Sequence, residues 1–213
     1  MLRTGRQHRA SAYVCAGPPQ TTTLDAVEPT VIVLHGPTSA GKSTIAKALQ
    51  ATAPAPAFHV SLDAFVTMSN RRDMRSDEER QQAYHIHCEN LRSTLARVLG
   101  AQFDIILDLV LRDEAELEAT LRVLGGRPTC FVSVSAPLDV LEERERARED
   151  RAAGMAREQV GHPAYARAYD LSIDTSTSSP AESAATIRAF IRERQRLTGQ
   201  SSGQPSAAAD FQR

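Results

Sequence analysis

The sequence has little cysteine, almost no net charge and no long apolar run. Three cysteines among 213 residues are too few and too scattered for a disulfide framework or a structural zinc site, so we expect a reducing, cytoplasmic location. The formal net charge of −1 argues against nucleic acid as a partner along the whole surface. No apolar run approaches the roughly 18 residues of a membrane span, so we expect no membrane association.

The composition is that of a globular protein, with 41% hydrophobic and 24% charged residues. Residues 1–29 form a segment whose first 20 residues carry Arg3, Arg6 and Arg9 but no acid. A transit peptide has such a bias, but no apolar region follows as in a secretory signal. We predict a disordered extension over 1–29, one domain over 30–197 and a flexible tail over 198–213.

The body of the chain alternates short β-branched runs with longer amphipathic stretches. The pattern predicts strands at 30–34, 57–60, 103–107, 129–134 and 169–173. Helices are predicted at 43–51, 76–99, 113–125, 137–148 and 179–196. Strands separated by helices pair in parallel, because parallel neighbours need crossover connections. The sequence therefore predicts an α/β fold, a three-layer sandwich around a five-stranded parallel sheet.

Residues 36–43 match the phosphate-loop pattern G-x-x-x-x-G-K-[ST], directly between the first predicted strand and the first predicted helix. In such a loop, backbone N–H groups surround the nucleotide phosphates, and the helix N-terminus adds positive partial charge. Lys42 is expected to neutralise the terminal phosphates, and Ser43 to place its hydroxyl on Mg²⁺. The residues expected to bind ATP or GTP are Gly36, Pro37, Thr38, Ser39, Ala40, Gly41, Lys42, Ser43 and Thr44.

Two aspartates follow predicted strands, at the sheet edge where ligands of α/β proteins bind. Asp63 comes just after the second strand and could accept the proton of a substrate hydroxyl during phosphoryl transfer. The alternative for Asp63 is an N-cap of a short helix at 64–68. Asp108 closes the apolar third strand and is a candidate Mg²⁺ ligand, or else a solvated residue at the strand end.

Residues 142–151 form a dense run of acidic and basic residues. Most such runs are solvated helix faces, and this interpretation accounts for Glu142, Glu143, Glu145 and Arg146. The spacing of Arg144, Arg148 and Arg151 places them on one helical face. Gly154 would permit a hinge, so we predict a mobile lid around 144–157 whose arginines close over the phosphates.

These features together resemble the chloramphenicol phosphotransferase-like kinases. The resemblance is carried by the phosphate loop, Asp63, the segment 143–156, Gln159, His162, Tyr169, Asp170, Asp174, Thr175 and the segment 179–182. It implies a P-loop fold similar to shikimate kinase, with Asp63 as general base, Arg144, Arg148 and Arg151 in the lid, and Asp174 and Thr175 beside the adenine. It also implies ATP-dependent O-phosphorylation of a small molecule, classically an antibiotic.

The predicted function is thus phosphoryl transfer from ATP, with Mg²⁺, to a hydroxyl of a small molecule. Arg71, Arg72 and Arg75 belong either to a solvated loop or to a site for an acceptor that already carries a phosphate or carboxylate. One alternative function is a kinase for sugar nucleotides or nucleic-acid 5′-hydroxyls, similar to zeta toxins. Another is a nucleotide sensor without turnover, in which Asp63→Asn would leave ATP binding unchanged.

Overall fold

The computed structural model describes residues 30–69, 74–101, 103–110, 113–148 and 154–201. Four of the predictions lie outside these residues. They concern the extension 1–29, the pair Arg71 and Arg72, the lid residue Arg151, and the tail from residue 202 onward.

A five-stranded parallel sheet forms the centre of the molecule. Its strands are β1 (Val31–His35), β2 (Ala57–Ser61), β3 (Asp104–Leu109), β4 (Thr129–Ser135) and β5 (Leu171–Asp174). The strand order is β2-β3-β1-β4-β5, and each neighbouring pair is parallel. The predicted α/β fold with a five-stranded parallel sheet is confirmed.

Helices connect the strands and cover both faces of the sheet. They are α1 (Lys42–Ala51), α2 (Leu62–Val66), α3 (Asp77–Leu99), α4 (Glu114–Val123), α5 (Leu138–Arg146), α6 (Met155–Gln159) and α7 (Pro180–Ser201), with a 3₁₀ turn at Pro163–Tyr165. None of the helices in the described ranges combines the length and the hydropathy that crossing a membrane requires.

The helix starts follow the capping signals of the sequence. The side chains of Ser76 and Asp113 accept hydrogen bonds from backbone N–H groups in the first turns of α3 and α4. Ser179 and Glu182 exchange the two reciprocal bonds of a capping box before α7. Three helix ends differ from the prediction. α4 ends at Val123 rather than near residue 125, α5 ends at Arg146 rather than near residue 148, and α7 continues to Ser201.

The core divides into two clusters, one on each face of the sheet. Side chains alternate along β1, so Ile32 and Leu34 pack against α1 and α7, while Val31 and Val33 pack against α3 and α4. All four are essentially inaccessible to solvent. This packing fixes the carboxyl ends of β1, β2 and β3 on the same side of the sheet, where the loops that follow these strands meet.

Candidate active site

The phosphate loop leaves β1 and enters α1 at Lys42. Gly41 and Ser39 both have positive φ, 87° and 61°, which gives the loop its inward turn. At Gly36 the constraint is one of space, because a Cβ atom there would lie 2.0 Å from the backbone oxygen of Val134 on the neighbouring strand β4. The loop can pass this close to β4 only with glycine at residue 36.

Several polar groups of this loop are buried. The Lys42 side chain is buried, and its ammonium donates to the carbonyl of Pro37 at 2.8 Å across the loop. The hydroxyls of Thr38 and Ser39 are buried without a hydrogen-bond partner among the described residues. Buried hydroxyls need a partner, and the oxygens of a bound phosphate would supply one. The loop therefore fits a nucleotide phosphate chain.

Ser43 and Asp108 lie together beside the loop. The Ser43 hydroxyl donates to a carboxylate oxygen of Asp108 at 2.6 Å, and the His59 Nε2 atom lies 3.6 Å from the same oxygen. Burial would raise the pKa of the Asp108 carboxyl, but His59, the Lys42 ammonium and the Ser43 hydroxyl stabilise the carboxylate, so that the pKa is lowered overall. Oxygen donors of this kind suit Mg²⁺.

Asp63 lies in the first turn of α2, two residues after the N-cap Ser61. The alternative that Asp63 caps a short helix is therefore wrong. Its side chain borders two neighbouring spaces. One is a small cavity of about 60 Å³ that it shares with Lys42, Ser43, Asp108 and other residues of the phosphate loop. The second is a larger cavity that opens away from that loop.

The larger cavity has a volume of about 640 Å³. The residues lining it are Leu62, Asp63, Val66, Asp77, Arg80, Gln81, Tyr84, Val110, Asp113, Met155, Gln159 and His162. The guanidinium of Arg80 is paired with Asp77 and donates to the Met74 carbonyl, so it is already engaged. Arg75 is not among these lining residues; it lies just before α3, and its backbone N–H donates to Glu79. We call this space the acceptor cavity.

A third cavity of about 270 Å³ lies on the other side of the phosphate loop, between α1, α5 and the start of α7. Arg144 and Thr175 line it, and the Arg144 guanidinium donates to the Thr175 hydroxyl at 2.8 Å and to the Thr175 carbonyl at 2.9 Å. Asp174 is not among the described residues around this cavity. Its carboxylate accepts from the hydroxyl and the backbone N–H of Ser176, which lowers its pKa.

Arg144 and Arg148 do not share one helical face as predicted, because α5 ends before Arg148. Arg144 lies in α5 and is fixed against Thr175 at the third cavity. Arg148 follows the helix and borders both this cavity and the small cavity beside the phosphate loop. Of the described arginines of this segment, Arg148 lines the small cavity, whereas Arg144 contacts the phosphate loop through a hydrogen bond of 3.4 Å to the Ser39 carbonyl.

The charge pattern of residues 142–151 indicates a solvated helix face for Glu145, and this interpretation is wrong. Its side chain is only 4% exposed, and its carboxylate accepts from the backbone N–H groups of Gly154 and Ala156, both at 3.0 Å. It thereby holds the first turn of α6, a helix that the sequence analysis missed. One signal was available, since Glu145 lies four residues after the apolar Leu141, which is buried on the same face.

Gln159 and His59 are the other residues whose positions the sequence analysis did not derive. Gln159 ends α6, is 1% exposed, and accepts a hydrogen bond from the Thr38 backbone N–H at 2.6 Å. His59 lies on the edge strand β2, next to Asp108 on β3. A single histidine within a strand, or a single glutamine at the end of a short helix, carries no periodic signal, so only the fold shows these contacts.

The comparisons with known proteins agree with this geometry. The family model for chloramphenicol phosphotransferase-like proteins matches residues 29–192. No sequence among the curated proteins matches the chain.

Solved structures of two kinases and of an antibiotic resistance protein share the fold at low sequence identity. The APS kinase of Mycobacterium tuberculosis in complex with AMPPNP and APS is 16% identical, with a TM-score of 0.59 over 78% of this chain and 98% of that chain. The shikimate kinase of Acinetobacter baumannii with shikimate is 15% identical, with a TM-score of 0.58 over 78% and 94%. The tunicamycin resistance protein of Deinococcus radiodurans is 18% identical, with a TM-score of 0.58 over 76% and 95%.

Proposed function

Since the chain belongs to the chloramphenicol phosphotransferase-like family, we propose that it transfers the terminal phosphoryl group of ATP to a hydroxyl of a small molecule. The observation that carries the proposal is the position of Asp63. Asp63 lines both the small cavity beside the phosphate loop and the acceptor cavity. A carboxylate between the two cavities would meet both the acceptor hydroxyl and the phosphoryl group that this hydroxyl attacks.

Each side chain in the proposed reaction has a separate task. The phosphate loop holds the phosphates by its N–H groups, and Lys42 neutralises their charge. Asp63 accepts the proton of the acceptor hydroxyl as the oxygen attacks phosphorus, while the bond to the bridging oxygen of ADP breaks. Arg148, which also lines the small cavity, stabilises the charge on the transferred group. Arg144, through Thr175, shapes the cavity for the nucleoside.

Ser43 and Asp108 are the residues that would hold Mg²⁺. The ion would neutralise charge on the phosphates during transfer. The Ser43 hydroxyl and the lowered pKa of Asp108 suit this task, because the carboxylate stays ionised at neutral pH.

The test is a coupled assay of ADP release over a panel of hydroxylated antibiotics, sugars, nucleotides and 5′-hydroxyl oligonucleotides. We expect one small-molecule class to stimulate release. Asp63→Asn should lower kcat by about a hundredfold or more, the usual contribution of a general base, with little change in affinity for the ATP analogue AMP-PNP. Asp139→Asn, at an exposed site on α5, is the matched control and should retain full activity.

Each alternative predicts a different result in the same assay. Intact AMP-PNP binding with no stimulated release over the panel would favour a nucleotide sensor. Stimulation by oligonucleotides alone, with a steep dependence on salt, would favour a nucleic-acid kinase. Full activity of Asp63→Asn would refute the role of Asp63.

A further inference from the structure

One hydrogen bond connects the phosphate loop to the wall of the acceptor cavity. The Thr38 backbone N–H donates to the side-chain oxygen of Gln159 at 2.6 Å. Thr38 belongs to the loop, whereas Gln159 ends α6 and lines the acceptor cavity. The two residues are 121 positions apart in the chain, so this contact depends on the whole fold.

The chemistry of the contact fixes the orientation of the carboxamide. A backbone N–H can only donate, so the atom that faces Thr38 must be the oxygen of Gln159, and the NH₂ group occupies the other position. The side chain is 1% exposed, and water cannot easily replace this acceptor. Removing the oxygen would therefore leave the Thr38 N–H without a partner in a buried position.

Gln159 is itself held in place from the neighbouring helix. The buried carboxylate of Glu145 on α5 accepts from the N–H groups of Gly154 and Ala156, at the first turn of α6. Since α6 has only five residues, a fixed first turn also fixes Gln159 at its end. The position of Thr38 thus depends on a chain of contacts that begins on α5.

Thr38 lies in the part of the loop that faces the acceptor. It borders the small cavity together with Asp63 and Arg148, and it is not among the residues lining the cavity proposed for the nucleoside. The terminal phosphate of a bound triphosphate would occupy this part of the loop. The phosphates of a diphosphate would lie nearer to Gly41 and Thr44, which border the nucleoside cavity as well as the small cavity, whereas Thr38 borders only the small one of these two.

We propose that Gln159 is a positioning residue that holds the acceptor-facing part of the phosphate loop in the shape that receives the terminal phosphate. The inference rests on the proposed function, because it takes a nucleoside triphosphate as the ligand. It goes further in predicting that a residue of the acceptor cavity sets the preference for triphosphate over diphosphate.

The experiment measures the dissociation constants of AMP-PNP and ADP, both with Mg²⁺, by isothermal titration calorimetry. The variant Gln159→Leu has a similar volume but no oxygen for the Thr38 N–H. We expect its affinity for AMP-PNP to fall about tenfold, the size of one hydrogen bond to a buried donor, and its affinity for ADP to stay within about twofold. Gln82→Leu, on the exposed side of α3, is the matched control and should change neither constant.

A general loss of structure would lower the affinity for both nucleotides, so the ratio of the two constants separates positioning from stability. Gln159→Asn shortens the side chain by one methylene, so its oxygen no longer reaches the Thr38 N–H. If the leucine variant fails to fold, the dissociation constants of AMP-PNP and ADP are compared for this variant instead. An equal loss for AMP-PNP and ADP, or no loss for either, would overturn the inference. Failure of the wild-type protein to bind AMP-PNP would overturn the proposed function as well.

Discussion

Glu145→Ala should destabilise the protein markedly, although the charge run around it looks solvated in the sequence. The substitution removes both carboxylate oxygens. One of them accepts from the backbone N–H of Gly154, and the other accepts from the backbone N–H of Ala156. Each unsatisfied buried donor costs about 1–3 kcal/mol, and the Gly154 contact is only partly buried, so the expected loss is about 2–4 kcal/mol. For a domain of this size, this corresponds to a fall in Tm of roughly 5–15 °C.

The assay is urea and thermal unfolding followed by circular dichroism, with the exposed Glu143→Ala on the same helix as control. A surface substitution of this kind should change stability by no more than about 0.5 kcal/mol. Glu145→Gln keeps one good acceptor oxygen and should lie between wild type and Glu145→Ala. Equal stability of the Glu143 and Glu145 alanine variants would refute the argument that the Glu145 carboxylate holds α6.

Two further predictions concern the phosphate loop and the cysteines. Gly36→Ala should lower the free energy of unfolding by about 1–3 kcal/mol and weaken AMP-PNP binding, because its Cβ would lie 2.0 Å from the Val134 oxygen. Gly100→Ala is the control, since its Cβ meets only an ordinary contact of 3.4 Å. It should change neither quantity when unfolding and AMP-PNP binding are measured in the same way. Burial raises the pKa of Cys88 to about 11 and of Cys130 to about 12, so both remain protonated at pH 8.5. Alkylation by iodoacetamide at that pH, followed by peptide mass spectrometry, should be about a hundredfold slower in the native protein than in urea, and equal rates would contradict this burial.

The sheet and the phosphate loop could be predicted because each leaves a strong local signal. Five short runs bounded by polar or turn residues, three of them rich in β-branched residues, and the spacing of Gly36, Gly41 and Lys42 are visible without any knowledge of tertiary contacts. The family assignment is confirmed by the family model over residues 29–192, and the longest stretches that carried it, the phosphate loop and the segment 143–156, can be read directly from the sequence.

What the sequence did not reveal depends on contacts between distant residues. α6 has five residues with no apolar period, and it is held by a side chain from α5 rather than by its own capping signal. The end of α5 at Arg146 separates Arg144 from Arg148, which a continued helix would have placed on one face. The catalytic, nucleotide and metal roles of individual residues stay predictions, since they concern ligands rather than the fold.

The strand order has a consequence for how the protein is made. β1 pairs with β3 and β4 but not with β2, its successor in the chain. A ribosome that has released β1 and β2 has therefore produced two strands that have no native pairing with each other. The strand that leads into the phosphate loop gains its second partner only when residues up to Ser135 have emerged, and such distant pairings form slowly. We expect nascent chains to acquire nucleotide binding late in synthesis, after β4 and the helix that follows it are available.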